Sequence, residues 1–194
     1  MWTLRLALSV SRMEDIGAIT AVHHPVRRRI VDHLGLYGAS QVGRLARALD
    51  QQVGSISHHL RMLERAGLVE RADDPTGDKR TSWWRSSGRS LSWSVADFAD
   101  SPADAVLARS AERANISTHV GRLSAWHREG ARDPEWNRAA FSTDTLTWAS
   151  AQELAALSEA LNATIDRWRR SIDVEDGTQR RPVFVFAHGF PTTP

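Results

Sequence analysis

The spacing of apolar residues predicts two helices at the start of the chain's first half. Residues 14–22 predict a short helix, which His24 and Pro25 interrupt because the residue before a proline avoids the helical region. Pro25 suits the first position of a second helix. This helix is predicted to end at Gly35 or Gly38, and its apolar residues at helical spacing are Val26, Ile30, Val31 and Leu34.

Two further helices are predicted on either side of a tight turn at Asp50 and Gln51. Ser40 is the expected N-cap of the first, which extends to about Leu49. Residues 52–66 form the second, and Gly67 ends it. The predicted inward residues are Val42, Leu45, Ala46 and Leu49 on the first helix, and Val53, Ile56, Leu60 and Leu63 on the second.

A hairpin is predicted after the fourth helix. Strands at 68–72 and 80–86 flank the loop 73–78, which is rich in turn-forming residues. Apolar residues at every second position of residues 2–10 predict a further strand at the N-terminus. Helices, a tight turn, a helix and a hairpin in this order are typical of a winged helix-turn-helix. In that fold one helix fits the major groove of duplex DNA and the preceding helix braces it.

The second half predicts a mixture of helices and strands. Residues 103–129 form a long helix with apolar residues at Val106, Leu107, Ile116, Val120, Leu123 and Trp126. A strand is predicted within 140–148. Ser150 caps a helix over 151–171, whose predicted inward residues are Leu154, Leu157, Leu161, Ile165 and Trp168. Alternating Val and Phe predict a strand at 182–187.

These elements predict an α+β, mainly helical fold in two parts. Residues 1–95 are expected to form the DNA-binding winged helix-turn-helix domain. Residues 96–194 are expected to form a helical or α+β region for dimerisation or effector binding.

Charge is distributed unevenly between the two parts. The 194 residues have a formal net charge of only +2. The first part has 14 basic and 9 acidic residues, and the second has 11 basic and 14 acidic residues. A basic part beside an acidic part suggests that the first binds a polyanion. All basic residues except Lys79 are Arg, which is consistent with phosphate recognition or with a GC-rich genome.

Two segments of the first part resemble a known family. The sequence of residues 55–70, from Ser-Ile-Ser-His-His-Leu to Ala-Gly-Leu-Val-Glu, resembles the recognition helix of ArsR-like bacterial transcriptional regulators. Residues 23–34 resemble the motif of that family's earlier helix, and the resemblance covers about residues 13–90. Similar strings occur in MarR-like and other winged-helix proteins. The resemblance implies a sequence-specific regulator of transcription, expected to be a repressor, that dimerises through terminal helices on a two-fold operator.

The predicted DNA contacts lie mainly on the fourth helix. With its apolar face in the core, its opposite face would present Gln52, Ser55, Ser57, His58, His59 and Arg61, which can bond base edges or phosphates. The resemblance implies DNA contact for Ser57 and His58, whereas Gly54 replaces a Ser that is frequent in the family. Of this set, His59 is also suited to packing or capping. The wing adds Thr76, Lys79 and Arg80, with Arg85 nearby, as phosphate contacts.

The sequence offers few other residues that could bind a metal, a cofactor or a ligand. There is no cysteine, and His119 and His127 are too far apart on one helix to chelate one ion, so we expect no metal and no cofactor. The eight Trp residues suggest core or interface packing, or an aromatic pocket for a small organic effector. No apolar run approaches the roughly 20 residues of a membrane span, and a cytoplasmic protein is expected.

Two other classes of function remain as alternatives. A winged helix can serve protein–protein assembly without nucleic acid, but an apolar outer face would then be expected on the fourth helix. An enzyme is not expected. Asp97, Asp100, Asp104 and His188 do not form a catalytic arrangement, and there is no glycine loop of the kind that binds phosphate.

Overall fold

A computed structural model describes residues 15–73, 82–88, 93–129 and 133–193. The contacts of the chain divide it into two units, residues 1–123 and 124–194. The division at residue 95 predicted from the sequence stays a prediction. The predicted N-terminal strand lies outside the described residues.

Four helices in the first unit follow the predicted order. They are α1 (Ile16–Val22), α2 (Pro25–Tyr37), α3 (Val42–Leu49) and α4 (Val53–Arg65). Asp15 caps α1 by accepting a hydrogen bond from the Gly17 amide at 2.8 Å. Pro25 occupies the first turn of α2, as predicted.

Three short strands form an antiparallel sheet in the order β1-β3-β2. They are β1 (Ser40–Gln41), β2 (Val69–Ala72) and β3 (Trp83–Ser86). The prediction of Ser40 as an N-cap was wrong: Ser40 pairs with Trp84 in the sheet, and Gln41 precedes α3. In the hairpin, Val69 pairs with Ser86 and Ala72 with Trp83.

The core of the first unit lies between the four helices and the inner face of the sheet. Its largest fully buried side chains are Trp84, Ile19, Ile30, Leu45, Ile56, Leu60, Leu63, Val22 and Val69. Most predicted inward residues are therefore buried. Val26, Val31 and Val42 are half-buried, and Val53 is 56% exposed although it was predicted to face the core.

The long helix α5 (Pro102–Glu129) follows a short 3-10 helix at Val95–Phe98. Its existence was predicted, but its buried face was not. The buried residues are Ala105, Ala108, Ala111 and His119, whereas most of the predicted apolar positions are exposed (Val106, Leu107, Ile116, Val120 and Leu123). Small alanines allow the helix to approach the core closely. Arg122 of α5 also bonds Asp32 of α2, which pairs with Arg28.

The second unit differs from the predicted strand–helix–strand arrangement. Its helices are the end of α5, then α6 (Pro134–Ala139) and α7 (Ala151–Ser171). Ser150 caps α7 as predicted, in a reciprocal pair with Glu153. The predicted strands at 140–148 and 182–187 were wrong, because those residues form neither strand nor helix. None of the side chains of α7 is buried, so its predicted inward residues are at most half-buried.

Candidate nucleic-acid interface

A tight turn fixes the angle between α3 and α4. Asp50 adopts a left-handed conformation (φ 52°, ψ 57°), and its amide donates to carbonyls in the last turn of α3. The Gln51 amide donates to the Ala46 carbonyl at 2.9 Å. The chain can therefore reverse direction within a few residues, which is the geometry that a helix-turn-helix requires. An open groove between the two helices is lined by Gly43, Ala46, Arg47, Asp50, Gln51, Gln52, Val53 and Ser55.

Helix α4 has one buried face and one exposed face. Ile56, Leu60 and Leu63 are fully buried and anchor the helix to the core. Residues on the opposite side are exposed, namely Gly54, His58, Arg61, Met62 and Arg65. Helical spacing of three and four residues places Gly54, His58, Arg61 and Arg65 along one line. The exposed surface of α4 is thus mainly polar and carries two guanidinium groups.

The structure brings some of the predicted contact residues to this surface and not others. Gln52 precedes the helix and is exposed, and its side chain makes no capping hydrogen bond. His58 and Arg61 are exposed on the outer face, while Ser55 and Ser57 are half-buried at its two edges. Thr76, Lys79 and Arg80 lie outside the described residues.

His59 points away from the exposed surface of α4. It is half-buried, and its ring lies 4.9 Å from the ring of His24 and 5.6 Å from that of His58, between centroids. Burial lowers the pKa of His59, as do His24, Arg27 and His58. His59 is therefore a packing residue beneath the surface in this structure. Its contact with DNA stays a prediction.

The three consecutive arginines of α2 serve the fold of the first unit. Arg27 donates through Nε to the Ala21 carbonyl at 2.5 Å and through Nη2 to the Thr20 carbonyl at 3.2 Å. Arg28 pairs with Asp32 at 3.1 Å, and Arg29 donates to the Leu49 carbonyl at 2.9 Å. Arg27 and Arg29 thus satisfy carbonyls at the ends of α1 and α3, where helices leave such groups without helical partners.

Among the residues of the hairpin that the structure describes, the arginines already have partners. Arg85 pairs with Glu70 directly across the strands at 2.7 Å. The Arg71 guanidinium lies 3.9 Å from the centre of the Trp84 ring and 3.8 Å from Glu64. Arg85 therefore stabilises the base of the wing in this structure, and the Glu70 carboxylate reduces its availability for a phosphate.

Sequence reasoning missed two residues at the α3–α4 groove. Arg47 is exposed in the last turn of α3 and lines the groove, but the sequence analysis considered only the apolar face of that helix. Val53 was assigned to the core because it falls on the apolar period. Its position in the first turn of α4 places it beyond the packed part of the first unit.

Acid is expected to destabilise the first unit through His23. This residue is half-buried against Trp93, with ring centroids 5.7 Å apart. Burial, then Arg28 and His119, lower its pKa from 6.5 to about 4. Between these values the folded state binds fewer protons than the unfolded state, so the free energy of unfolding falls as pH decreases from 6.5 towards 4. Urea unfolding at a series of pH values measures this.

A His23→Gln variant should flatten that pH dependence. Part of it will remain, because burial also lowers the pKa values of His24, His33 and His59. His127→Gln, at an exposed site on α5, is the matched control and should retain the wild-type slope. A His23→Gln slope parallel to that of the wild type would contradict the assignment.

Comparison with known families supports the fold. Residues 22–72, from the end of α1 to the end of β2, match the family described as "Helix-turn-helix domain". Together with the three-stranded sheet, this match confirms the predicted winged helix-turn-helix within an α+β, mainly helical chain. Residues 22–72 therefore form a helix-turn-helix, a domain that in DNA-binding proteins places its second helix in the major groove. The match does not assign the ArsR-like subtype.

Several solved structures are similar to the chain at low identity. They include a mutant of ZitR from Lactococcus lactis in apo form, at 14% identity over 75% of this chain and 83% of that chain, with a TM-score of 0.35. The adhesin competence repressor AdcR from Streptococcus pyogenes is 11% identical over 74% and 81%, with a TM-score of 0.32. A MarR family transcription regulator is 22% identical over 58% and 72%, with a TM-score of 0.33.

No curated protein matches the chain. Among the described residues, no helix is long and apolar enough to span a membrane, and no group of three or more His, Asp or Glu side chains is arranged to hold a metal ion.

Proposed function

We propose that this chain is a sequence-specific regulator of transcription that inserts α4 into the major groove of duplex DNA. The observation that carries the proposal is the two-sided character of α4. Its inner face is fixed by Ile56, Leu60 and Leu63, and its outer face presents His58 and Arg61. Arg donates to guanine in the major groove, and a His can donate or accept there. Gln52, Ser55 and Ser57 complete the proposed reading surface, with His59 beneath it.

Phosphate contacts would flank this surface on two sides. Arg47 lines the groove beside the first turn of α4, where the bracing helix of a helix-turn-helix crosses the DNA backbone. Thr76, Lys79 and Arg80 of the wing are proposed to contact the backbone on the other side. Such contacts fix the register of the protein on the duplex without reading its sequence.

Affinity for duplex DNA is expected to fall steeply with salt. Each neutralised phosphate releases counterions, and about three contacts, from Arg47, Lys79 and Arg80, would reduce the affinity roughly 40-fold between 50 and 200 mM salt. Fluorescence anisotropy with a labelled duplex measures the slope. Arg47→Gln should reduce the slope by about one, and Arg138→Gln, exposed on α6, should not change it. Salt-independent affinity would refute groove binding.

We further propose that the protein acts as an ArsR-like homodimeric repressor. Support comes from α5, whose exposed apolar residues Ile116, Val120 and Leu123 lie at helical spacing along one face, with Val106 exposed nearer the start of the helix. A second copy of the chain would cover this face and place two α4 helices on a two-fold operator.

Replacement of Val120 by Glu is expected to convert this dimer into a monomer, because a carboxylate would be buried in an apolar interface without a partner. Sedimentation velocity at micromolar concentration measures the change. Val120→Leu, which keeps the site apolar, should remain dimeric. A wild-type chain that sediments as a monomer would exclude the dimer.

A small organic effector and cytoplasmic action complete the proposal. The aromatic side chains of the second unit offer a surface suited to an organic ligand, with Phe184 and Phe186 rings 5.8 Å apart. Trp136 is a further aromatic residue of this unit, with the Arg181 guanidinium 5.6 Å from its ring centre. Regulation rather than catalysis is proposed. The assembly-module alternative is disfavoured because the outer face of α4 is mainly polar.

A further inference from the structure

Val53 is an apolar residue that follows the spacing of the buried residues of α4, yet no other part of the fold that the structure describes covers its side chain. It is the first helical residue and is 56% exposed, and it follows a turn in which the Asp50 and Gln51 amides donate to carbonyls of α3. A β-branched residue is not a favourable choice for an exposed helix position. Stability of the fold therefore does not explain a valine here.

Gly54 adds a second unusual feature at the same place. A Cβ atom at this position would meet no atom within 4 Å, so the fold leaves room for a side chain that is absent. Glycine in the first turn of a helix lowers helix stability by about 1 kcal/mol relative to alanine. Because Gly54 has no side chain, a partner on the outer face could approach the α4 backbone closely at this position.

A partner that matches both features is the thymine edge in the major groove. The first turn of the second helix of a helix-turn-helix is the part that contacts base edges. Among the four bases, thymine alone presents a methyl group in that groove, and apolar side chains contact it. Val53 supplies two methyl groups at the position where a base edge would come closest, and Gly54 provides the clearance beside it.

We infer that Val53 is a specificity-determining residue that reads a thymine 5-methyl group in each half-site of the operator, with Gly54 allowing the approach. The inference rests on the proposed DNA-binding function and deepens it. The polar residues His58 and Arg61 would read neighbouring base pairs, because they lie about one and two turns beyond Gly54 on the line of exposed residues of α4.

A scan of thymine replaced by deoxyuridine tests this assignment. Each thymine of the duplex site bound by the full chain is replaced in turn, which removes one methyl group and leaves base pairing intact. The wild type should lose roughly fourfold in affinity at one position per half-site, the equivalent of about 0.8 kcal/mol for one buried methyl group. Val53→Ala should bind more weakly overall and show no loss at that position.

Two variants separate a reading role from a structural one. Val174→Ala, at an exposed valine after α7, should keep the wild-type deoxyuridine profile. Gly54→Ala should raise the melting temperature, because alanine favours the helix, yet lower DNA affinity. An unchanged affinity of Gly54→Ala would overturn the clearance argument.

The experiment distinguishes a failure of the Val53 inference from a failure of the proposed DNA-binding function. A Val53→Ala variant that binds DNA and keeps the full wild-type deoxyuridine profile would overturn this inference and leave the proposed function standing. A wild-type chain that selects no duplex sequence would overturn the proposed function.

Discussion

The double variant His58→Ala, Arg61→Ala is expected to bind its duplex site roughly 100-fold more weakly than the wild type. Both side chains are exposed on the face of α4 opposite to the core, so their removal should leave the fold intact. Each base contact of this kind contributes about 1–3 kcal/mol, and about 1.4 kcal/mol corresponds to a tenfold change in affinity. Anisotropy titration of a labelled duplex provides the measurement.

The matched control for this prediction removes the same two residue types elsewhere. His127 lies on α5 and Arg138 on α6, and both are exposed. The double variant His127→Ala, Arg138→Ala changes the formal charge equally and should bind DNA as the wild type does. Equal losses in both double variants would show that α4 does not carry the interface.

The second large effect is expected from Trp84→Ala, which should lower the free energy of unfolding of the first unit by about 3–5 kcal/mol. Trp84 is 2% exposed at the centre of the sheet, belongs to the core, and stacks on the Arg71 guanidinium at 3.9 Å. Its replacement would leave a large cavity between the hairpin and the helices. Urea unfolding followed by circular dichroism measures the loss.

Two further tryptophan variants test whether lost core packing causes the fall in the free energy of unfolding. Trp148 is fully exposed, so Trp148→Ala should unfold at the wild-type urea concentration. Trp84→Phe should cost under about 1.5 kcal/mol, because it retains most of the packing volume. It also removes an indole N–H that is buried without a hydrogen-bond partner among the described residues. If Trp84→Ala were no more destabilising than Trp148→Ala, the core described above would be wrong.

The helices of the first unit could be predicted because local signals and tertiary packing agree there. Pro25 at the start of α2, Gly67 after α4 and the apolar spacing of Ile56, Leu60 and Leu63 each indicate the observed structure. The polar outer face of α4 follows from the same period, since a helix with one buried side must expose the other.

Roles that depend on distant partners could not be predicted. The run of arginines at 27–29 does not reveal its partners in the sequence, yet Arg27 and Arg29 bond the ends of α1 and α3, and Arg28 pairs with an acid on α2. Val53 follows the apolar period and is nevertheless exposed, because the core does not extend to the first turn of α4. Periodicity gives the face of a helix and not the length over which that face is covered.

In the second half of the chain, too, the apolar spacing did not show which residues other elements cover. The apolar spacing of residues 103–129 predicted the helix α5 but not its buried face, which consists of alanines and His119 while Val106, Ile116 and Val120 are exposed. Small side chains carry little weight in an apolar pattern, yet they allow the closest packing. Alternating Val and Phe at 182–187 favour a strand, but a strand also needs a pairing partner, and the sequence alone does not show whether one is present.

Selection of bound sequences from a random pool of duplex DNA tests the central claim most directly. The wild-type chain is predicted to enrich a two-fold symmetric motif, with a thymine at equivalent positions of its two halves. The variant His58→Ala, Arg61→Ala is predicted to lose that enrichment, while His127→Ala, Arg138→Ala retains it. A pool that remains random after selection with the wild-type chain would contradict the account of α4 as a DNA-reading helix.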